Sequence, residues 1–308
     1  MLFMDGSKVL FVLEDEEDFT CAKLQKDVSS VHVTVTRFQN GELSVRVPEN
    51  VAGKDVFLLK RFLSNLHEDV FELLQCVDTL NCMSVRTLTL LLPYYPYARQ
   101  DHNAYNESKG ALLLAKMLTN LGVHKIITLD MHAPEQLRDF PLTVVNLTME
   151  RFWANYLRSL GYSNHEMQIM AADKSAHPRA QQIASALNCS CGYIDKQRDA
   201  NGDVKITKIC GFNPQKQTFL IDDLVDTGRT LIVATQSLRE LSTQPISACV
   251  THCHLSPKLL STLPHIGLTQ LITTDTLKHP TFAQSQTGFL TILEAPAMLW
   301  EGALGLIK

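Results

Sequence analysis

The sequence of 308 residues predicts an α/β protein built from two similar domains with mainly parallel central sheets. Apolar runs of strand length alternate with segments of helical spacing in both halves, and polar residues follow the ends of several of these runs. The chain is also long enough for two domains that each bury a core. We place the domains at 1–147 and 148–308, with the last segment a candidate to pack back on the first domain.

The first half alternates between strand and helix signals. An apolar run, Val9 to Leu13, predicts a buried strand, and the acidic stretch from Glu14 predicts the start of a helix. Alternating residues on either side of Asn40 and Gly41 predict a β-hairpin over 31–47. Further strands are predicted at 56–59, 88–92 and 125–129, with helices at 68–80 and 110–121. The segment 143–150 is interpreted as a linker that leads into a helix.

The second half repeats this alternation. It predicts helices over 178–187 and from about 229 to 241, with strands at 168–172, 193–195, 204–209 and 219–221 and near 246 and 268. No repeat of individual residues accompanies the shared pattern. The carboxyl ends of parallel strands are where the working residues of such sheets collect.

Composition narrows the function classes. The net charge of −4 gives no electrostatic reason to expect a nucleic-acid partner. Neither a secretory signal nor a membrane-spanning run is visible, so we expect a cytoplasmic protein without membrane contact. The eight cysteines lie largely in apolar segments and are expected to be reduced. Zinc at 249–254, which contains two cysteines and two histidines, is a less favoured alternative because no second ligand pair is obvious nearby.

The most informative stretch is Thr218 to Thr230. A strand-like run ends in two carboxylates, Asp222 and Asp223, and a turn at 226–228 leads into a helix. Backbone N–H groups at such a helix start converge on one anion, which predicts a phosphate site. Carboxylates beside the phosphate suit sugar hydroxyls or a hydrated metal, so the stretch indicates a sugar phosphate. An ordinary βα turn with solvated acidic residues is the alternative.

Other polar groups follow predicted strands. Aromatic rings stand beside Arg99 at 93–102, where they are suited to cover a purine; an aromatic surface loop is the alternative. Asp130 and His132 follow one strand and Asp173 follows another. Lys196 and Arg198 lie two residues apart and share one face if the chain is extended there, although a solvated loop would carry them equally.

Six motifs in order make the chain resemble the ribose-phosphate pyrophosphokinase family over nearly its whole length. They are FQNGE at 38–42, ENVAGKDVFLL at 49–59, PYYPYARQD at 93–101, TLDMHAP at 128–134, IDKQR at 194–198 and IDDLVDTGRT at 221–230. The resemblance implies two domains like type I phosphoribosyltransferases, with the active site between them. It also implies transfer of the diphosphoryl group of ATP to the 1-hydroxyl of ribose 5-phosphate, with Mg²⁺ (or Mn²⁺) as cofactor.

The resemblance assigns a role to each matching position. The residues implied to bind ribose 5-phosphate are Asp222, Asp223, Asp226, Thr227, Gly228, Arg229 and Thr230. Those implied to bind ATP are Arg99, Gln100 and Asp101, together with Phe38, Asn40 and Glu42 from a neighbouring subunit. His132 and Asp173 would hold the metal, and Lys196 and Arg198 would be catalytic. A homo-oligomer based on dimers, up to a hexamer, follows from the shared ATP site.

The chain departs from the family at several positions. Asn40 replaces an aspartate, Ser175 and Ala176 replace glycines, and Arg229 stands where a small residue is usual. The segment 102–110 is nearly neutral where the family has a strongly basic flexible loop. Ala52 replaces an arginine associated with an allosteric phosphate site, and 60–62 reads Lys-Arg-Phe instead of a Gln-Ser-Thr type. These last changes argue against phosphate activation and nucleoside diphosphate inhibition.

Two other functions remain open at this point. The neutral segment 102–110 favours a non-catalytic family member that binds nucleotide or regulates a true synthetase. A phosphoribosyltransferase that uses a ready-made diphosphate explains the loop at 226–230 but leaves the motifs around Arg99 and His132 unexplained.

Overall fold

The computed structural model describes residues 8–13, 29–62, 65–100, 106–198, 204–254, 256–278 and 288–307. The chain divides into two compact units, one of Met1–Leu147 with Ala295–Lys308 and one of Thr148–Glu294. The helix expected from Glu14 lies outside the described residues.

The first unit is built on a seven-stranded sheet with the order β3-β2-β1-β4-β5-β6-β7. All neighbouring strands are parallel except β2 and β3, which form the predicted hairpin. Its strands are β1 (Lys8–Leu13), β2 (Ser29–Arg37), β3 (Leu43–Arg46), β4 (Asp55–Leu59), β5 (Thr87–Leu92), β6 (Lys125–Leu129) and β7 (Thr143–Leu147). Its helices are α1 (Leu66–Cys82), α2 (Gly110–Asn120) and, from the chain's last segment, α7 (Pro296–Ile307).

The second unit has its own seven-stranded sheet, in the order β10-β9-β8-β11-β12-β13-β14. Its strands are β8 (Met167–Ala171), β9 (Ser190–Arg198), β10 (Val204–Cys210), β11 (Gln217–Val225), β12 (Ile246–Cys253), β13 (Gln270–Thr274) and β14 (Leu290–Leu293). Its helices are α3 (Glu150–Ser159), α4 (His177–Leu187), α5 (Arg229–Arg239) and α6 (Pro257–Thr262).

The central parallel strands are deeply buried. Every residue of β8 and β12 is buried, as expected for strands covered by helices on both faces. In the first unit α7 covers part of the sheet, where Trp300 meets Phe57 edge-on with ring centroids 5.2 Å apart. The predicted α/β class with mainly parallel sheets is therefore confirmed.

The two sheets share one topology. If the strands of each unit are numbered from one to seven, both sheets have the order 3-2-1-4-5-6-7, and in both the only antiparallel pair among the described strands is the hairpin at one edge. The strand order reverses between β1 and β4 in one unit and between β8 and β11 in the other. Ligands bind at such switch points, beyond the carboxyl ends of the strands.

The linker interpretation of 143–150 is wrong at its start. Thr143–Leu147 is an edge strand, β7, that pairs in parallel with β6 from Lys125 to Leu129. Four of its five residues are half-buried, and so short an apolar run does not separate an edge strand from a connection by its periodicity. The strand β14 and the helix α7 were not predicted either.

Candidate active site

The stretch around the acidic pair folds as a strand, a tight turn and a helix. β11 is buried along most of its length, and the chain turns at Asp226 and Thr227 before α5 begins at Arg229. Gly228 precedes the helix with φ of 72°, a left-handed conformation that favours glycine. The first N–H groups of a helix have no acceptor within the helix. The turn therefore presents donors and a positive helix end in one place, as a phosphate requires.

The two carboxylates on β11 are largely withdrawn from water. Asp222 is 9 % exposed and Asp223 is 7 % exposed. Burial, followed by repulsion from Asp223 and Asp173, raises the pKa of Asp222 well above its ordinary value, while Lys196 acts in the opposite direction. Concentrated negative charge of this kind fits a hard cation with oxygen ligands.

Lys196 connects three elements at this point. Its Nζ lies 2.8 Å from Oδ2 of Asp173 and donates a hydrogen bond of 3.0 Å to Oγ1 of Thr230 in the first turn of α5. β9 extends to Arg198, so Lys196 and Arg198 lie two apart on an extended strand rather than in a solvated loop. The strand thus brings a cation directly to the predicted phosphate turn.

Asp173 is held by its own loop as well as by Lys196. Burial raises its pKa, but hydrogen bonds from Lys196 and Ser175 outweigh that effect and leave the pKa below its ordinary value. Oδ1 accepts the N–H groups of Ser175 at 2.9 Å and Ala176 at 3.0 Å, and the Ser175 hydroxyl as well. Two of these bonds come from backbone N–H groups that glycine would also supply, so the Ser175 hydroxyl is the bond to this carboxylate that the replacement adds.

Arg179 was missed at the sequence level. It lies in the first turn of α4, and its guanidinium approaches Oδ1 of Asp223 at 3.7 Å. A cation in the first turn of a helix opposes the helix dipole, and this was the available signal. In the turn between β11 and α5 and at the start of that helix, the side chains of Thr227 and Arg229 are exposed.

The predicted ATP residues of the first unit lie on two separate segments. Phe38, Asn40 and Glu42 belong to the exposed loop between β2 and β3, where Phe38 is 51 % exposed. Arg99 and Gln100 follow β5, and Asp101 lies outside the described residues. Oε1 of Gln100 accepts the N–H of Gly110 at 2.8 Å, which ties this segment to the start of α2.

Two of the aromatic rings near Arg99, Tyr94 and Tyr95, are buried and therefore do not cover a purine as predicted. Tyr94 is 6 % exposed and Tyr95 is 1 % exposed, and the Tyr95 hydroxyl bonds to the carbonyl of Ala111 at 3.1 Å. These two rings belong to the core because the turn folds them under α2. Tyr97 is partly exposed and stacks on His67 with ring centroids 5.9 Å apart.

His132 follows β6 and is half-buried. Its neighbours Asp130 and Ala133 have φ of 41° and 50°, so the chain turns sharply at the end of this strand. Across the ranges that the structure describes, no cluster of three or more His, Cys, Asp or Glu forms a ready metal site. In the stretch considered for zinc, Nδ1 of His252 lies 2.9 Å from the Thr276 hydroxyl.

Comparison with known proteins places both units in one class. Residues 13–122 match the N-terminal domain of ribose phosphate pyrophosphokinase, and residues 146–268 match the phosphoribosyl transferase domain. The chain is thus a two-domain protein of phosphoribosyltransferase type.

Relatives that match most of the chain identify one family within this class. The chain is 30 % identical over 265 residues to the ribose-phosphate pyrophosphokinase of Bacillus caldolyticus, covering 84 % of each chain. It is 30 % identical over 279 residues to that of Bacillus subtilis (strain 168), covering 89 % of this chain and 87 % of the relative. The crystal structure of phosphoribosylpyrophosphate synthetase from Mycobacterium smegmatis superposes with a TM-score of 0.85 at 26 % identity, covering 97 % of this chain and 99 % of that one. The chain belongs to the ribose-phosphate pyrophosphokinase family.

One further property concerns membranes. Of the helices that the structure describes, none combines the length and the apolar character needed to span a bilayer.

Proposed function

We propose that this protein is a ribose-phosphate diphosphokinase, which transfers the diphosphoryl group of ATP to the 1-hydroxyl of ribose 5-phosphate and releases AMP. The observation that carries the proposal is the position of Lys196, which contacts both Asp173 and the first turn of α5. A cation there lies beside the predicted phosphate turn at 226–230 and the buried carboxylates of Asp222 and Asp223. Membership of the family supplies the reaction that this arrangement fits.

The acceptor is assigned to the second unit. The turn at 226–230 holds the 5-phosphate through its N–H groups and the hydroxyls of Thr227 and Thr230. Asp222 and Asp223 accept hydrogen bonds from the ribose hydroxyls. The exposed guanidinium of Arg229 is free to turn toward a bound phosphate from the rim of the site.

The donor is assigned to the first unit. ATP is bound by Arg99, Gln100 and Asp101. The loop at 38–42 contacts the adenine of the ATP that is bound to a neighbouring subunit. Phe38, in that loop, is 51 % exposed, so its ring is accessible for contact with a neighbouring subunit. The protein is therefore proposed to work as a homo-oligomer based on dimers, up to a hexamer, in the cytoplasm.

Mg²⁺, with Mn²⁺ as a substitute, is the proposed cofactor, and His132 and Asp173 would hold it. The donor set fits, because the ionised carboxylate of Asp173 lies near Asp222 and Asp223, where burial and the neighbouring carboxylates raise the pKa of Asp222. Mg²⁺ takes few protein ligands and completes its shell with water and phosphate oxygens. When bound, the ion supplies positive charge to the phosphate oxygens of ATP.

The chemistry requires positioning and charge. The 1-hydroxyl oxygen forms a bond to the β-phosphorus, the bond from that phosphorus to the α,β-bridging oxygen breaks, AMP leaves, and the hydroxyl proton passes to solvent. Negative charge spreads over the non-bridging oxygens in the transition state. Lys196 and Arg198 stabilise that charge, and no covalent intermediate with the protein is needed.

A second candidate is a family member that binds nucleotide and regulates another synthetase without turnover. The nearly neutral composition of 102–110 favours it, because fewer cations are available to close over ATP. The experiment that separates the two is an AMP-release assay on purified protein, with ribose 5-phosphate compared against other sugar phosphates. Release of AMP that depends on ribose 5-phosphate and Mg²⁺ supports the enzyme. Nucleotide binding without AMP across several metals and phosphate levels refutes it.

A further inference from the structure

Arg37 joins the hairpin of the first unit to α1. It is the last residue of β2 and directly precedes the loop at 38–42. Its Nε donates to Oε1 of Glu68 at 3.0 Å, and its Nη2 donates to Oε2 of Glu72 at 2.8 Å. One guanidinium therefore bonds two carboxylates one turn apart on the same helix, a fork geometry that lysine does not reproduce.

Glu72 also bonds a buried cation, Lys60. Its other oxygen, Oε1, accepts from Nζ of Lys60 at 2.9 Å, and the same ammonium lies 3.2 Å from Oδ1 of Asp69. The side chains of Lys60 and Glu72 are both 0 % exposed. Buried charges persist only when they are paired, so the positions of Lys60, Asp69 and Glu72 are mutually fixed. The network gives Arg37 a rigid anchor.

The loop at 38–42 is exposed and is closed by hydrogen bonds within itself, including one from the N–H of Glu42 to Oδ1 of Asn40 at 3.2 Å. Within it the N–H of Phe38 bonds to the carbonyl of Glu42 at 2.9 Å, and the N–H of Gly41 bonds to the carbonyl of Phe38 at 3.0 Å. A groove of about 540 Å³ separates the loop from α1. Its lining is Asn40, Gly41, Glu42, Leu43, Glu68, Phe71 and Gln75. The ion pairs of Arg37 also join the hairpin to α1, and one of their two carboxylates, Glu68, lines this groove.

We propose that Arg37 is a positioning residue for the nucleotide, which holds the loop at 38–42 in its binding shape through Glu68, Glu72 and the buried Lys60. The inference rests on the proposed function only in that the loop's ligand is ATP. Without the anchor the loop samples more conformations, and ATP then binds only the fraction of molecules in the competent shape. Affinity for ATP falls, while the chemistry of bound ATP is unchanged.

The topology explains why the anchor lies at this point. In the second unit β11, on one side of the switch point, carries Asp222 and Asp223, and Lys196 lies on β9, which β8 separates from β11. In the first unit the residue after the corresponding strand, β4, is Lys60, and its own side chain occupies the interior with paired carboxylates. One switch point is left for a ligand, and the other is filled by an internal ion network that supports a hairpin.

The test compares Arg37→Ala, Arg37→Lys and Arg86→Ala with the wild-type oligomer. Arg86 is a matched control in the same unit, since it is exposed and bonds Asp55 through both Nε at 2.8 Å and Nη2 at 2.6 Å. The measurements are amide hydrogen exchange of the peptide at 38–42 without nucleotide, the dissociation constant for ATP with Mg²⁺, and kcat at saturating ATP.

For Arg37→Ala we expect loop exchange and the ATP dissociation constant to rise about tenfold, with kcat within about twofold of wild type. Arg37→Lys should recover part of both effects, and Arg86→Ala should show neither. Weaker ATP binding with unchanged loop exchange would make Arg37 a direct ligand and overturn the inference, as would unchanged affinity. A wild-type protein without AMP release would refute the proposed function, while the exchange comparison would still decide whether Arg37 fixes the loop.

Discussion

Replacing Lys196 by methionine separates catalysis from folding. Methionine keeps an unbranched apolar side chain as far as Cε and lacks the ammonium, which contacts Asp173 at 2.8 Å and Thr230 at 3.0 Å. If this ammonium stabilises the charge that develops on the transferring phosphoryl oxygens, its loss raises the barrier to reaction. Binding of ribose 5-phosphate alone should change much less.

The magnitude follows from Coulomb's law. A unit charge about 4–6 Å from the developing charge, at an effective dielectric of about 20, contributes about 3–4 kcal/mol. This energy corresponds to a fall in kcat of about 10²- to 10³-fold. The side chains of Lys196 and Asp173 are 19 % and 20 % exposed, and Asp173 keeps its bonds to Ser175 and Ala176. The stability lost with the ion pair is therefore only about 1 kcal/mol.

The assay is AMP release at saturating ATP, Mg²⁺ and ribose 5-phosphate, with thermal unfolding recorded in parallel. Lys216→Met is the matched control, because Lys216 also belongs to the second unit and bonds a hydroxyl, that of Ser190, at 3.1 Å. It should retain wild-type kcat. Lys196→Arg keeps the charge and should retain more activity than Lys196→Met.

Two results would contradict this reasoning. If Lys196→Met kept more than about a tenth of wild-type kcat, the ammonium would not be stabilising the transition state by the amount calculated. If its activity fell only in proportion to the folded fraction, the role of Lys196 would be structural.

Two further predictions concern the phosphate turn and the buried network. Gly228→Ala places a Cβ on a residue with φ of 72°, so we expect stability to fall by about 1 kcal/mol and the KM for ribose 5-phosphate to rise more than the KM for ATP; equal rises would argue against this turn as the phosphate seat. Lys60→Met leaves Asp69 and Glu72 buried without their shared cation, so urea unfolding at pH 7 should show a loss of about 3–5 kcal/mol. A loss below about 1 kcal/mol would show that these buried ion pairs contribute no more than an exposed salt bridge does.

The α/β class and most of the central strands could be predicted because they are signalled locally. Apolar runs bounded by turn residues mark buried strands, and Asn40-Gly41 marks a hairpin, so these features need no knowledge of distant residues. The strand Thr143–Leu147 was misinterpreted as a linker because its local sequence does not identify it as a strand. As a half-buried edge strand it is defined by pairing with β6, which lies elsewhere in the sequence.

In the candidate site too, features formed by adjacent residues were predictable, and contacts between residues distant in the sequence were not. The strand, turn and helix at 217–239 were predictable from their own residues, because these elements are contiguous in the sequence, and phosphate binding by the turn stays a prediction. The contact between Lys196 and Thr230 joins positions 34 apart, and the approach of Arg179 to Asp223 joins two elements, so neither is encoded locally. The purine cover at Tyr94 and Tyr95 was wrong because composition does not report which way a ring turns relative to α2.

The role of Asp101 and the side chain of Arg198 remain predictions. Asp101 lies outside the described residues, and for Arg198 the structure describes only the strand that carries it. Both are assigned by the resemblance of ARQD and IDKQR to the family. The assignments of His132 to the metal and of the loop at 38–42 to adenine have the same standing.

The most direct test of the central claim follows the diphosphoryl group itself. Purified protein is incubated with ATP labelled with ³²P at the β-phosphate, Mg²⁺ and ribose 5-phosphate, and the products are separated. A ribose-phosphate diphosphokinase yields label in a sugar diphosphate, unlabelled AMP, and one AMP for each sugar diphosphate formed. Label that stays in ATP, or that appears in ADP or inorganic phosphate without a labelled sugar, would contradict the proposed function.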